Sequence, residues 1–207
     1  MDTQIMETRD DTSRRITTLP VLETAQLTLR PWKLDDGPAI DAHFSNYEVA
    51  KMTGSKPYPY LPNSGFGVIA SQHGKFLRGL CYEFALICKD TQEIAGGCGI
   101  FKRKPTSHYE LGYWLGQKHW GKGLATEAGN AVLDWAKAAL DADTFVAGHF
   151  ADNPASGRVL TKLGFARVGK ENETKPMFSL ARGGRSPGLV YIWPASKAAT
   201  TPLSALH

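Results

Sequence analysis

The sequence predicts an α/β protein of the mixed, α+β kind: a central, mostly antiparallel sheet that holds one parallel strand–helix–strand unit and carries helices on both faces. Three observations predict it. Tyr109, Leu111, Tyr113 and Leu115 alternate like one face of a strand. Leu124, Ala128, Val132, Trp135 and Ala139 then recur at helical spacing, so the period changes across the glycine-bearing stretch from Trp120 to Ala128. Thr144 to Phe150 reads as a further strand, and a crossover of that length requires the two flanking strands to run parallel.

The other elements follow in chain order. Residues 1–20 are polar and aperiodic and read as a flexible extension ahead of a domain spanning 21–194. Leu27 to Trp32 alternates as a first strand, Pro31 ending its regular pairing, and Asp35 and Asp36 start a helix carrying Ile40 and Phe44. Pro57-Tyr58-Pro59-Tyr60-Leu61-Pro62 cannot be a regular helix, because proline fixes φ and holds its predecessor extended, so it predicts an ordered loop. Ser64 to Leu80 is patterned as a helix with Phe66, Ile69, His73 and Phe76 on one side. Cys81 to Cys88 and Ile94 to Phe101 flank Lys89–Glu93 as a hairpin, which leads through Lys104-Pro105-Thr106-Ser107 into the Tyr109 strand. Gly96, Gly97 and Gly99 mark either a bulge or the close approach of another group. Asn153-Pro154 and Gly164 read as the start and stop of a helix. Met177 to Ala181 and Leu189 to Trp193 predict two antiparallel strands joined through 182–188, and 195–207 read as a flexible tail. An exposed edge on that hairpin allows a homodimer without requiring one.

With 207 residues, 42% hydrophobic and 21% charged, the chain suits one well-buried globular domain. No apolar run nears the ~20 residues that cross a bilayer, and an amino end holding Arg9, Asp10, Asp11, Arg14 and Arg15 lacks the apolar core of a secretory signal. We therefore expect a cytoplasmic protein with no membrane partner. Cys81, Cys88 and Cys98 lack metal spacing and lie in apolar or glycine-rich segments, so buried free thiols and no metal site are expected. The basic residues behind a formal charge of +4 are scattered, which gives nucleic acid no binding surface. An anionic ligand fits better: Lys118, Lys122, Arg158 and Lys162 lie in the two segments expected to face it, although each also reads as a solvated surface charge.

The stretch Trp120-Gly121-Lys122-Gly123-Leu124-Ala125-Thr126-Glu127-Ala128 joins strand to helix. Gly121 and Gly123 let the loop turn tightly and its N–H groups approach an anion, while the helix start adds unpaired donors and a positive dipole end. A tight turn needs glycine whether or not anything binds, so the pattern alone leaves both readings open. The stretch resembles the acetyl-CoA loop of the GCN5-related N-acetyltransferases (GNAT), whose Gln/Arg-x-x-Gly-x-Gly/Ala falls on residues 120–125, with Trp120 in place of Gln or Arg. The form Trp-Gly-x-Gly-x-Ala-Thr-Glu-Ala is similar to the RimJ/RimL branch, the ribosomal-protein N-terminal acetyltransferases. A second segment, Asn153-Pro154-Ala155-Ser156-Gly157-Arg158-Val159-Leu160-Thr161-Lys162-Leu163-Gly164-Phe165, resembles that branch's Asn-x-x-Ser-x-Arg-Val-x-x-Lys-x-Gly-Phe. The resemblance spans about residues 25–193.

It implies the GNAT fold, acetyl-CoA as cofactor with CoA as product, and an amine acceptor that is a peptide N-terminus or a small amine. It also implies coenzyme contacts at Trp114, Leu115, Trp120, Gly121, Lys122, Gly123, Leu124, Ala125, Thr126, Asn153, Ser156 and Arg158, and a general-acid role for Ser156. Glu110, at the start of the strand leading into the loop, is the candidate base; a solvated surface charge is the alternative. Tyr58 and Tyr60 are candidate acceptor contacts by the same resemblance, or aromatics that pack a proline-stiffened loop. A non-catalytic acyl-CoA-binding module with the same loop is the rival from another class.

Overall fold

The computed structural model describes residues 16–102 and 108–206. In chain order its elements are β1 (Leu22–Glu23), β2 (Leu27–Pro31), α1 (Gly37–Phe44), α2 (Tyr47–Ala50), α3 (Ser64–Leu77), β3 (Cys81–Cys88), β4 (Ile94–Lys102), β5 (Tyr109–Leu115), α4 (Leu124–Leu140), β6 (Phe145–Phe150), α5 (Pro154–Lys162), β7 (Ala166–Arg167), β8 (Lys175–Ser179) and β9 (Gly184–Trp193). The strands form one sheet in the order β1-β2-β3-β4-β5-β6-β9-β7, with β8 paired to β9. Every described pairing is antiparallel except β5 with β6. The mixed sheet and its strand–helix–strand unit are as the periodicity predicts. The expected passage through Lys104–Ser107 lies outside the described residues.

Helices cover both faces, which is why all eight residues of β3 are buried. On one face α4 lays Ala128, Val132, Leu133 and Ala136 over Leu29, Phe84, Leu86, Ile100 and Leu111, with Leu160 of α5 and Leu163 just beyond its end alongside. Trp135 makes T-shaped contacts with Tyr82 and Phe84, ring centroids 5.6 and 5.3 Å apart, which ties α4 to β3. Fully buried side chains such as Phe84 each contribute about 2–3 kcal/mol through the area removed from water. On the other face Ile40, Phe44, Val49, Ala50, Tyr60 and Ile69 form a second core against Trp32 and Trp114.

Several expectations change in detail. α3 ends at Leu77, and its inner face carries Ile69 and Gln72 while His73 is exposed, because the helix packs on β3 through the Ile69 row. The closing hairpin is longer than its apolar runs suggest: Arg185 to Gly188, expected in the connection, pair with Phe178 to Lys175. Within 195–206, expected as a flexible tail, Ala198, Leu203 and Leu206 pack on Val146, Val168 and Ile192, covering sheet surface that would otherwise be wet. In β3–β4 the register shifts between Leu86 and Ile87, and a Cβ on Gly97 would lie 2.8 Å from both Glu83 Oε1 and Trp114 Nε1, so the glycine run serves a bulge and a close approach together. All three cysteines are free and buried, and burial pushes the Cys81 thiol up to about 12.

A polar clamp fixes the turn from β2 into α1. Asp36 takes two hydrogen bonds from Arg30, at 2.7 and 2.8 Å, and a third from the Lys33 amide at 2.8 Å. Burial alone would raise the Asp36 pKa, but the bonds from Arg30 and the Lys33 amide outweigh it and hold the carboxyl below its usual value. A carboxylate whose folded pKa is depressed stabilises the fold above its unfolded pKa and loses that contribution as pH falls through the folded value. Thermal melts should therefore show the parent losing stability below about pH 4. Asp36→Asn should be destabilised at pH 7 by about 1–3 kcal/mol and respond less to acid; an equal acid response in both proteins would refute the clamp.

Candidate active site

β5 and β6 start as parallel neighbours and then part. Tyr109 pairs with Phe145 and Glu110 with Val146, and beyond these the described pairing of β5 is with β4 alone and that of β6 with β9. The cleft so formed opens at the carboxyl ends of the two strands, where ligands collect in sheets of this kind. The glycine loop flanks it. Gly121 and Gly123 have φ of +75° and +81°, a region L side chains rarely adopt, and Gly123 is the left-handed N-cap of α4. Among the described residues no side chain caps α4, and its first intrahelical bonds run from Thr126 and Glu127 to the Gly123 carbonyl, so the N–H groups of Leu124 and Ala125 stay available to an anion. Lys122 is exposed there, whereas Lys118 is paired to Glu93 at 2.8 Å.

Trp120, the departure from the usual loop pattern, closes the end of β5: its indole N–H donates to the Leu115 carbonyl at 2.8 Å. Leu115 packs its side chain into the main core. Trp114 points to the opposite face, stacked on Trp32 at 6.1 Å and against Phe44 at 4.6 Å. Its indole is thus a wall of the second core, and only its backbone is left for the cleft. Leu124 and Ala125 are buried at the start of α4, with Thr126 half-buried beside them.

The far side of the cleft is the start of α5. Asn153 Oδ1 accepts the Ser156 amide at 3.2 Å, so the expected cap is present and the side-chain NH₂ remains for another acceptor. Arg182 holds the neighbouring Asp152 through two bonds, at 2.9 and 3.0 Å, while lying 4.5 Å over the Phe150 ring. Tyr113 on β5 reaches across, its hydroxyl 2.6 Å from Ser156 Oγ. Burial pushes the Tyr113 phenol well above its ordinary range, so it stays protonated. His149 on β6 lies 2.8 Å from the Phe150 carbonyl through Nδ1. A carbonyl only accepts, so Nδ1 carries the proton and Nε2 faces the Tyr191 hydroxyl at 3.4 Å as an acceptor. Burial lowers the His149 pKa, which keeps the ring neutral. Tyr113 and His149 carry no signal in the sequence beyond a hydroxyl and an imidazole set in apolar strand faces.

Arg158 is exposed and lines a groove of about 480 Å³ with His149, Thr161, Leu189 and Tyr191, beside α5. On the opposite face, Glu110 is half-buried opposite Phe101 and Val146. Tyr60 is buried against Phe44 at 5.5 Å, and Tyr58 is exposed with its ring edge-on to Tyr47 at 5.0 Å. Both therefore have packing roles, Tyr60 in the second core and Tyr58 on its rim. Glu83, which sequence reasoning passed over, is buried on this face; burial raises its pKa, opposed by Lys56, Trp114 and Gln72.

Comparison with known proteins places the chain. A family model described as an acetyltransferase (GNAT) domain matches residues 26–166. The chain is 30% identical over 152 residues to the uncharacterized N-acetyltransferase p20 of Bacillus licheniformis, covering 73% of this chain and 85% of the relative. It is 30% identical over 140 residues to the [ribosomal protein uS5]-alanine N-acetyltransferase of Escherichia coli K12, covering 67% and 71%. Its fold is similar to that of RimL, a ribosomal L7/L12 alpha-N-protein acetyltransferase solved with coenzyme A (TM-score 0.71, 18% identity, 85% of this chain and 99% of that one). It is also similar to a ribosomal-protein-S5-alanine acetyltransferase from Vibrio fischeri (TM-score 0.70, 20% identity, 84% and 95%).

Proposed function

This chain belongs to the GNAT family of acetyltransferases, and we propose that it transfers an acetyl group from acetyl-CoA to the α-amine of a protein or peptide by direct attack of that amine. The observation that carries the reading is the parting of β5 from β6 beside a left-handed glycine loop, with the Tyr113–Ser156 bond bridging the opening. Acetyl-CoA, when bound, supplies the activated thioester. The N–H groups of Gly121 to Ala125 and the start of α4 suit its pyrophosphate, Lys122 adds a positive charge, and the free NH₂ of Asn153 suits an amide of the pantetheine arm.

Direct attack requires a neutral amine, a place for its proton, and a donor to the departing sulfur. An α-amine with pKa about 8 costs about 1 kcal/mol to neutralise at pH 7, against nearly 5 for a lysine side chain, so a single carboxylate or a water chain suffices. Glu110 is the base in this proposal, acting directly or through water. Ser156 is the donor to sulfur. A serine hydroxyl is a far weaker acid than a thiol, so its proton stays on oxygen and stabilises the thiolate by hydrogen bonding. The buried cysteines, with Cys81 and Cys98 thiols pushed up by burial, are poorly suited to carry an acyl group.

A peptide acceptor is supported by relatives named for acting on ribosomal proteins, the uS5-alanine and L7/L12 alpha-N acetyltransferases, and an assay of thiol release tests it. Short peptides with free α-amines should drive release from acetyl-CoA. Release only with small amines such as polyamines or aminoglycosides would make the chain a metabolite- or drug-modifying enzyme, and silence with coenzyme still bound would make it a binding module.

A further inference from the structure

Ser156 has one hydrogen and two lone pairs, and its neighbour decides which of them face the cleft. Tyr113 Oη stands 2.6 Å from Ser156 Oγ and 3.2 Å from the Ser156 carbonyl oxygen. Two arrangements fit these distances. In the first, the serine hydroxyl donates to Tyr113 while Tyr113 donates to the carbonyl, so the serine turns only lone pairs outward. In the second, Tyr113 donates to Ser156 Oγ and the serine hydrogen is free.

Two physical facts select the second. The Ser156 carbonyl lies inside the first turn of α5, where the helix supplies an amide to it, and 3.2 Å is long for a hydroxyl donor. A phenol is also a much stronger hydrogen-bond donor than an aliphatic alcohol, so the 2.6 Å bond runs from Tyr113 to serine. The backbone that carries the serine is meanwhile fixed, because its own amide is held by Asn153 Oδ1. We propose that Tyr113 is a positioning residue: it occupies a lone pair of Ser156 Oγ and so presents the serine O–H, as a donor, to the coenzyme sulfur when the thiolate departs. No bond to Tyr113 forms or breaks; its proton remains on the phenol, in keeping with its burial beside Cys98 and Tyr191. The proposal rests on the acetyl-transfer reading of this site and adds to it a residue that lies outside both loop motifs.

Tyr113→Phe removes the hydroxyl and leaves the ring to fill its place in the core. In the full chain it should lower kcat about tenfold, with KM for acetyl-CoA within twofold and the melting temperature little changed. In the Ser156→Ala background the same substitution should add nothing, since no hydroxyl remains to be oriented. A readout independent of turnover is calorimetric titration with CoA and with desulfo-CoA, which lacks the sulfur. Tyr113→Phe should weaken CoA about fivefold and leave desulfo-CoA unchanged. Equal losses of kcat in both backgrounds, or equal weakening of the two ligands, would assign Tyr113 a merely structural role and overturn the proposal. A parent chain that binds neither ligand would instead overturn the acetyl-transfer reading, and the proposal with it.

Discussion

Gly123→Val is expected to abolish measurable binding of acetyl-CoA while the chain stays folded. Gly123 sits at φ +81°, and no atom of the described residues lies within 4 Å of where a Cβ would be. The substitution therefore meets open space, and its whole cost is backbone: a β-branched residue forced into the left-handed region, about 1–3 kcal/mol, which the loop escapes by changing conformation. Any such change reorients the amides between Gly121 and Ala125 that the proposal assigns to the pyrophosphate. Affinity in a calorimetric titration should fall at least a hundredfold, about 3 kcal/mol, while far-UV circular dichroism and a cooperative melt persist. Unchanged affinity in a folded variant would falsify the phosphate-cradle reading, and loss of the cooperative melt would show that the loop's conformation is needed for folding instead.

Ser156→Ala should lower kcat at least tenfold while KM for acetyl-CoA moves less than twofold. The change is structurally quiet. The amide at 156 still bonds Asn153 Oδ1, the helix keeps its cap, and the Tyr113 hydroxyl, losing Oγ, has the Ser156 backbone carbonyl 3.2 Å away to turn to. What disappears is one donor facing the charge that develops on sulfur, an interaction stronger in the transition state than in the ground state. Such a loss belongs in kcat. A turnover within twofold of the parent would remove Ser156 from the mechanism and leave it as a helix-start residue.

The parts of the site legible in the sequence are those whose signal is local. Gly121 and Gly123 declare a left-handed turn because that conformation is strained for other residues, and Asn153 with Pro154 declares a helix start because the cap lies three residues from the amide it satisfies. β5 has the bounds that its alternation predicts, because side chains on a pleated surface carry their own period, and β3 has the bounds of the apolar run read as one arm of a hairpin. Even Trp114's turn to the opposite face from Tyr113 follows from that period, although the family motif implies a coenzyme contact for it.

Other features arise between distant residues. The Tyr113–Ser156 bond spans 43 positions and the Arg182–Asp152 pair spans 30, and no short window of sequence holds both partners. β7 has only two residues and exists as a strand because β9 offers it a partner. The same holds for residues 195–206, which pack against Val146, Val168 and Ile192. By itself, then, the sequence determined the periodic elements, the glycine loop, the helix caps and the family motifs, because torsional preference and hydrophobic period act over a few residues. The tertiary structure alone decided where β5 leaves β6, which hydroxyl faces Ser156 and which aromatic rings wall the second core, because those depend on burial and hydrogen bonding between groups that meet only once the sheet has formed.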